Sequence, residues 1–159
     1  MLQHNPTEKW KDQDAFILGG GASLTGFCFD RLRGRNVIAC NEAFQLGVEV
    51  APVCFFSDVV WFRKRRGELE AFSNAGGLVV THCEKMRATD DADWVQLMPR
   101  ARQGFRKNAL GFGGNSGCGA TNLALIYGAS TVYLLGMDCK RVNEQSHYHQ
   151  HYNRQQDEA

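Results

Sequence analysis

The sequence predicts an α/β protein with a single Rossmann-like domain: a mostly parallel sheet of about six strands with helices on both faces. Three observations predict it. Short continuous apolar runs of four or five residues recur along the chain, as strands buried on both faces require. The stretches between them are long enough for helices, so strands alternate with helices rather than with hairpin turns. Glycine clusters punctuate the ends of the runs, where a strand turns sharply into a helix. At 159 residues the chain can bury one core without disulfide or metal staples.

The elements follow in order. Residues 1–14 form a polar lead-in to a domain spanning 15–139, and 140–159 form a polar, His-rich C-terminal segment. Ala15-Phe16-Ile17-Leu18 is the first strand and stops at Gly19-Gly20-Gly21. Ser23 is the expected N-cap of a short helix over about 24–33, closed by Gly34. Asn36–Cys40 is the second strand, and Asn41 opens a short helical stretch. Pro52–Phe56 is the third strand, with Ser57-Asp58 at its C-terminal end.

A longer helix is expected over 59–73, with Val59, Phe62, Leu69 and Phe72 on one side and Gly76-Gly77 after it. Leu78–Thr81 is the fourth strand and Trp94–Met98 the fifth, stopped by Pro99. Residues 84–93 read as a charged loop, and 100–115 have no clean period. Ser116 is the expected N-cap of a helix through Tyr127, whose Ala120, Leu123, Ala124 and Tyr127 follow helical spacing, with Gly128 as its cap. Thr131–Leu135 is the last strand, ending at Gly136-Met137-Asp138.

Composition narrows the function classes. The formal net charge of +1 gives no whole-molecule attraction for nucleic acid or membrane. No run approaches the roughly 20 apolar residues of a membrane span, and the N-terminus lacks an apolar signal core, so the expected location is the cytoplasm. The six cysteines form no Cys-x-x-Cys pair and sit largely in apolar runs, so they read as reduced thiols serving as small buried hydrophobes. Oligomeric state stays open, a homo-oligomer included.

Two loops carry the main functional expectation. Gly19, Gly20, Gly21 and Ser23 follow the first strand, and Asn115, Ser116 and Gly117 open the clearest helix. Glycine lets backbone approach a ligand closely, and helix N-termini favour anions, so both loops are candidates for a phosphate. The first matches neither the dinucleotide fingerprint nor a P-loop. Asn41, Asp58 and Asp138 end strands along the same edge and are candidates for a ribose, a base edge or a metal.

Each of these residues has a plainer reading as a cap or turn. His147 and His149, within His-Tyr-His-Gln-His, are candidate general bases, although the spacing matches no zinc motif and no metal ligand set is assigned. Arg63-Lys64-Arg65-Arg66 reads as a solvated helix face.

Phe16 through Leu24, followed by Val37-Ile38-Ala39-Cys40-Asn41, resembles the start of a Rossmann-like superfamily. That group includes bacterial sialyltransferases using CMP-sialic acid, 6-hydroxymethylpterin pyrophosphokinase-like proteins and small uncharacterised phage proteins, the last being most similar. Asn115 through Asp138 resembles the second nucleotide-contacting loop, helix and strand of the group. Phe55 through Phe62 and the His147/His149 stretch resemble elements of the phage members. The Asn/Lys and Pro positions of the group's first loop are Gly20 and Ala22 here.

The resemblance implies a nucleotide or nucleotide-sugar donor, with a divalent metal left open, and a transferase moving a glycosyl or pyrophosphoryl group. It also implies a host-cell cytoplasmic location if the chain is phage-encoded. Two alternatives stand beside it: a non-catalytic protein that binds or sequesters a nucleotide, and a structural or assembly protein with a degenerate Rossmann core.

Overall fold

A computed structural model of the chain describes residues 2–3, 8–88, 92–101, 104–111 and 114–140. The main sheet contains β1 (Leu2–Gln3), β2 (Asp14–Leu18), β3 (Asn36–Cys40), β4 (Val53–Phe56), β5 (Leu78–Thr81), β6 (Val95–Leu97) and β9 (Thr131–Leu135). β7 (Arg100–Ala101) and β8 (Leu110–Gly111) pair separately. All six expected strands form, and the two-residue β1 joins at one edge. The order is β1-β6-β5-β4-β3-β2-β9, and every pair is parallel.

The chain walks outward from β2 to β6, then returns through α2 (Ser116–Ile126) to place β9 on the far side of β2. The point of reversal therefore lies between β2 and β9. α1 (Val59–Asn74) covers one face of the sheet and α2 the other.

Strand side chains alternate between the two faces. Leu18, Val37, Ala39, Cys54, Phe56 and Val79 join the core under α1, which contributes Trp61, Phe62, Leu69 and Phe72. Ala15, Ile17, Ile38, Cys40, Val53, Phe55 and Val80 join the core under α2. The α1 side is aromatic: Phe56 and Phe62 stack at 5.2 Å, and Trp94 lies 5.9 Å from Phe62. Val59, expected on the buried side of α1, is only partly buried, and Trp61 takes the inner position.

Two expected helices are tighter turns. Over 24–33 the chain makes separate 3₁₀ turns, Ala22–Leu24 and Phe29–Leu32. Gly26 between them has φ +78°, which a continuing α-helix cannot contain. Ser23 does not cap a helix; it lies inside the first turn, whose N-cap is Gly21. The stretch from Asn41 is likewise 3₁₀, Asn41–Leu46, ended by Gly47 at φ +85°.

α2 starts one residue earlier than expected in its capping. Asn115, not Ser116, is the N-cap, and its side chain accepts from the Gly117 N–H at 2.7 Å. Ala120, Leu123, Ala124 and Tyr127 are all fully buried, as their spacing predicts. Gly128 follows Tyr127 with φ +91°, the left-handed turn that ends many helices.

The polar lead-in is partly structural. Trp10 packs edge-on against Tyr127 at 4.7 Å, and its N–H donates to the Tyr127 carbonyl at 2.7 Å. It closes the end of the core beneath α2. The cysteine expectation holds for Cys40 and Cys54, which are buried free thiols; Cys83 is half-buried, and Cys28, Cys118 and Cys139 are exposed. Loops after strands and helix starts, not strand interiors, carry the exposed three. Among the described residues, no helix is long and apolar enough to cross a membrane.

Leu123 fills the contact between α2 and the sheet. Leu123→Ala is expected to cost about 2–5 kcal/mol in urea unfolding, because the rigid sheet cannot collapse into the gap. Glu70→Ala, on the exposed side of α1, should stay within about 0.5 kcal/mol of wild type.

Candidate functional site

Parallel strands all deliver their C-terminal ends to one edge of the sheet, and the chain opens a cleft of about 680 Å³ there. Asn41 after β3, Ser57 and Asp58 after β4, and His82, Cys83, Glu84 and Lys85 after β5 line it. Gly114 and Ser116 at the start of α2 and Arg100 from β7 complete the wall.

Local chemistry holds each group in place. Asn41 sits at φ +51°, a left-handed conformation that asparagine tolerates better than most residues. The next residue, Glu42, is buried, and its Oε1 accepts from the indole N–H of Trp61 at 2.8 Å and from Arg65 Nε at 2.9 Å. These bonds tie the turn carrying Asn41 to α1. They also take Arg65 out of the solvated basic run; it is half-buried and pairs with Glu68 as well.

Asp58 caps α1, its Oδ1 accepting from the N–H groups of Val60 at 2.7 Å and Trp61 at 3.3 Å. The Ser57 and Ser116 hydroxyls are 2.7 Å apart, joining the end of β4 to the first turn of α2. Beneath them the Cys40 thiol is pushed up to about 12 by burial and is neutral at physiological pH.

His82 is 4% exposed and lies 6.0 Å from the Phe55 ring. Burial holds its imidazole below the ordinary histidine range, and the positive charge of Arg100 adds to that effect. The cleft therefore presents a neutral imidazole, two cationic side chains, two carboxylates and the positive end of an 11-residue helix. It can receive an anion at the α2 end, and His82 lines it with ring nitrogens that are themselves buried.

The first glycine loop lies at the β2–β9 reversal and is filled by protein. The Gly19 N–H donates to Leu135 O and the Gly21 N–H to Gly136 O, both at 2.8 Å. A Cβ on Gly21 would stand 2.5 Å from the Asp138 carboxylate, and one on Gly19 would stand 2.5 Å from Gly136 O. Asp138 accepts from the Ser23 N–H at 2.8 Å and from its hydroxyl. Glycine at 19 and 21 thus has a packing reason independent of any ligand. The two Ser23 bonds, side chain first, hold the Asp138 carboxyl below its usual range.

Of the expected site residues, Asn41, Asp58 and Ser116 meet in the cleft. Gly19, Gly21, Ser23 and Asp138 meet at the reversal, with half-buried Gly20 in the same loop. Asn115 and Gly117 bond each other in the α2 cap. His147 and His149 lie outside the described residues.

Sequence reading passed over His82, Lys85 and Arg100. His82 directly follows a buried strand, the signal that marked Asn41 and Asp58; Lys85, in the 3₁₀ turn Glu84–Ala88, and Arg100 carry no such local signal. Among the described residues, no group of three or more His, Cys, Asp or Glu side chains is placed to hold a metal ion. Comparison with models of known families, with curated proteins and with solved structures finds no match.

Two outcomes test the reversal. Gly21→Ala should destabilise the fold by about 1–3 kcal/mol, since the added methyl meets backbone and a bonded carboxylate. Because the folded-state pKa of Asp138 is depressed, the stability it contributes is present above the unfolded carboxylate value, about 3.9, and is lost as pH falls through the folded one. Denaturant midpoints measured from pH 6 downward should therefore fall less steeply for Asp138→Asn than for wild type.

Proposed function

We propose that the chain is a nucleotide-dependent transferase whose donor binds in the cleft over β3, β4 and β5. The observation that carries this reading is the meeting of Lys85, Arg100 and the N-terminus of α2 with the strand-end groups Asn41 and Asp58 around one opening. A donor's phosphates match the cationic and helix-end side of the cleft. Its ribose or base matches Asn41 and the Asp58 carboxylate. The resemblance of Asn41 and Ser116 to nucleotide-contacting positions of the Rossmann-like superfamily supports the same reading, whereas its glycine-loop positions lie at the reversal.

Within this reading His82 takes the proton from an acceptor hydroxyl. The freed oxygen lone pair bonds the transferred glycosyl carbon or phosphorus, and the bond to the leaving phosphate breaks with its electrons going to that phosphate. Arg100 and Lys85 stabilise the charge that accumulates there. A neutral imidazole suits the task, since a protonated one cannot accept.

The test is a thermal-shift screen against nucleoside mono- and diphosphates and nucleotide sugars, with and without Mg²⁺. A ligand at 100 times its dissociation constant stabilises the fold by about 2.7 kcal/mol, which moves the melting temperature by several degrees. Arg100→Ala should weaken binding about ten-fold or more. With the donor in hand, turnover should fall as pH drops below the ordinary histidine range, where His82, held low by burial, protonates. His82→Gln should remove turnover while leaving donor binding. Absence of a shift with every nucleotide, or an unchanged shift in Arg100→Ala, would sink the assignment.

A further inference from the structure

β9 ends the sheet, and its outer side has no strand partner among the described residues. The opposite edge is the two-residue β1, too short to offer a template. β9 is five residues long, Thr131-Val132-Tyr133-Leu134-Leu135, with no charge, proline or glycine inside it. Natural sheets guard exposed edges with such residues, with bulges or with a covering element. Here apolar side chains stand in water on both faces: Tyr133 is 45% exposed and Leu134 56%. Leu125 on the adjacent α2 is 43% exposed. Inner strands such as β4 are buried at every position.

The direction of the free backbone groups follows from the existing ladder. Leu135 O accepts from Gly19 N, so Leu135 faces β2, and by alternation so do Tyr133 and Thr131. Val132 and Leu134 therefore turn their N–H and C=O outward. Gly136, at φ +64°, ends the extended run immediately beyond.

We propose that this edge is a homodimer interface, in which a second copy of the chain adds its own β9 antiparallel across a two-fold axis at Tyr133. That register is self-complementary. Val132 falls opposite the partner subunit's Leu134, and Leu134 opposite the partner subunit's Val132. Both outward-facing residues then exchange N–H···O bonds reciprocally, which gives four in all.

Tyr133, already stacked on Phe16 at 5.1 Å, falls in the central pair without hydrogen bonds, where facing side chains come closest. Val132 and Leu134 share the α2 face of the strand, where Val132 packs against the core. The strand carries no charge and the chain only +1, so two copies meet without electrostatic penalty. The inference is independent of what binds in the cleft.

Sedimentation velocity on the full chain, from ~1 to ~100 µM, tests it, spanning the range of a modest interface. The weight-average mass should climb from the 17.8 kDa of one chain toward twice that value. Leu134→Lys and Val132→Glu, each with an unchanged circular dichroism spectrum, should stay monomeric across the range. Mixing these two variants should restore association, because the register sets Glu at 132 against Lys at 134. A wild-type chain that stays monomeric at the highest concentration overturns the proposal. So does a Leu134→Lys chain that associates as wild type does, and a mixture that remains monomeric overturns the register.

Discussion

The close passage of backbone between β2 and β9 constrains the whole sheet. The chain lays down five strands in one direction and must then return to the outer side of the first. It can do so only if the segment after β9 and the loop after β2 share the same small space. Gly19, Gly21 and Gly136 make that possible: two lack the side chain that would collide, and the third adopts φ +64° to turn away. Asp138 then seals the contact by bonding Ser23 across 115 residues of sequence. Because β9 is the edge, α2 must lie on the face opposite α1, and its N-terminus is brought to the cleft. The geometry of the candidate site is thus inherited from a packing requirement at the neighbouring strand ends.

The sheet was legible in the sequence because strands buried on both faces need continuous apolar runs, and six such runs are present. Helix character was less legible. The segments at 22–32 and 41–46 have residues a helix accepts, but Gly26 and Gly47 take left-handed conformations that leave each piece too short for an α-helix. Tertiary context decides such conformations, and composition does not record it.

The cleft was half legible. Asn41 and Asp58 follow from the rule that parallel strands end together, and His82 obeys the same rule after Thr81. Arg100 arrives through the pairing of β7 with β8, ten residues apart, in a segment with no periodic signal. The glycine loop illustrates a different ambiguity. A glycine forced by a ligand and a glycine forced by neighbouring protein look identical in sequence, and only the positions of Gly136 and Asp138 distinguish them. The charge run on α1 carried a similar trap: Arg65 reaches inward to the buried Glu42, whereas the run as a whole reads as a solvated face.

The tryptophans divide unequally between the two layers of the core. Trp61 and Trp94 belong to the aromatic layer beneath α1, while Trp10 sits alone against Tyr127 under α2. Each layer therefore contains its own intrinsic fluorophore, and Trp61 donates its indole proton to a carboxylate while Trp10 rests edge-on to a phenol ring. Single-tryptophan variants would let the melting of one side of the sheet be watched by emission wavelength while the other side stays dark. The molecule thus carries, without added labels, the means to ask whether its two halves come apart together.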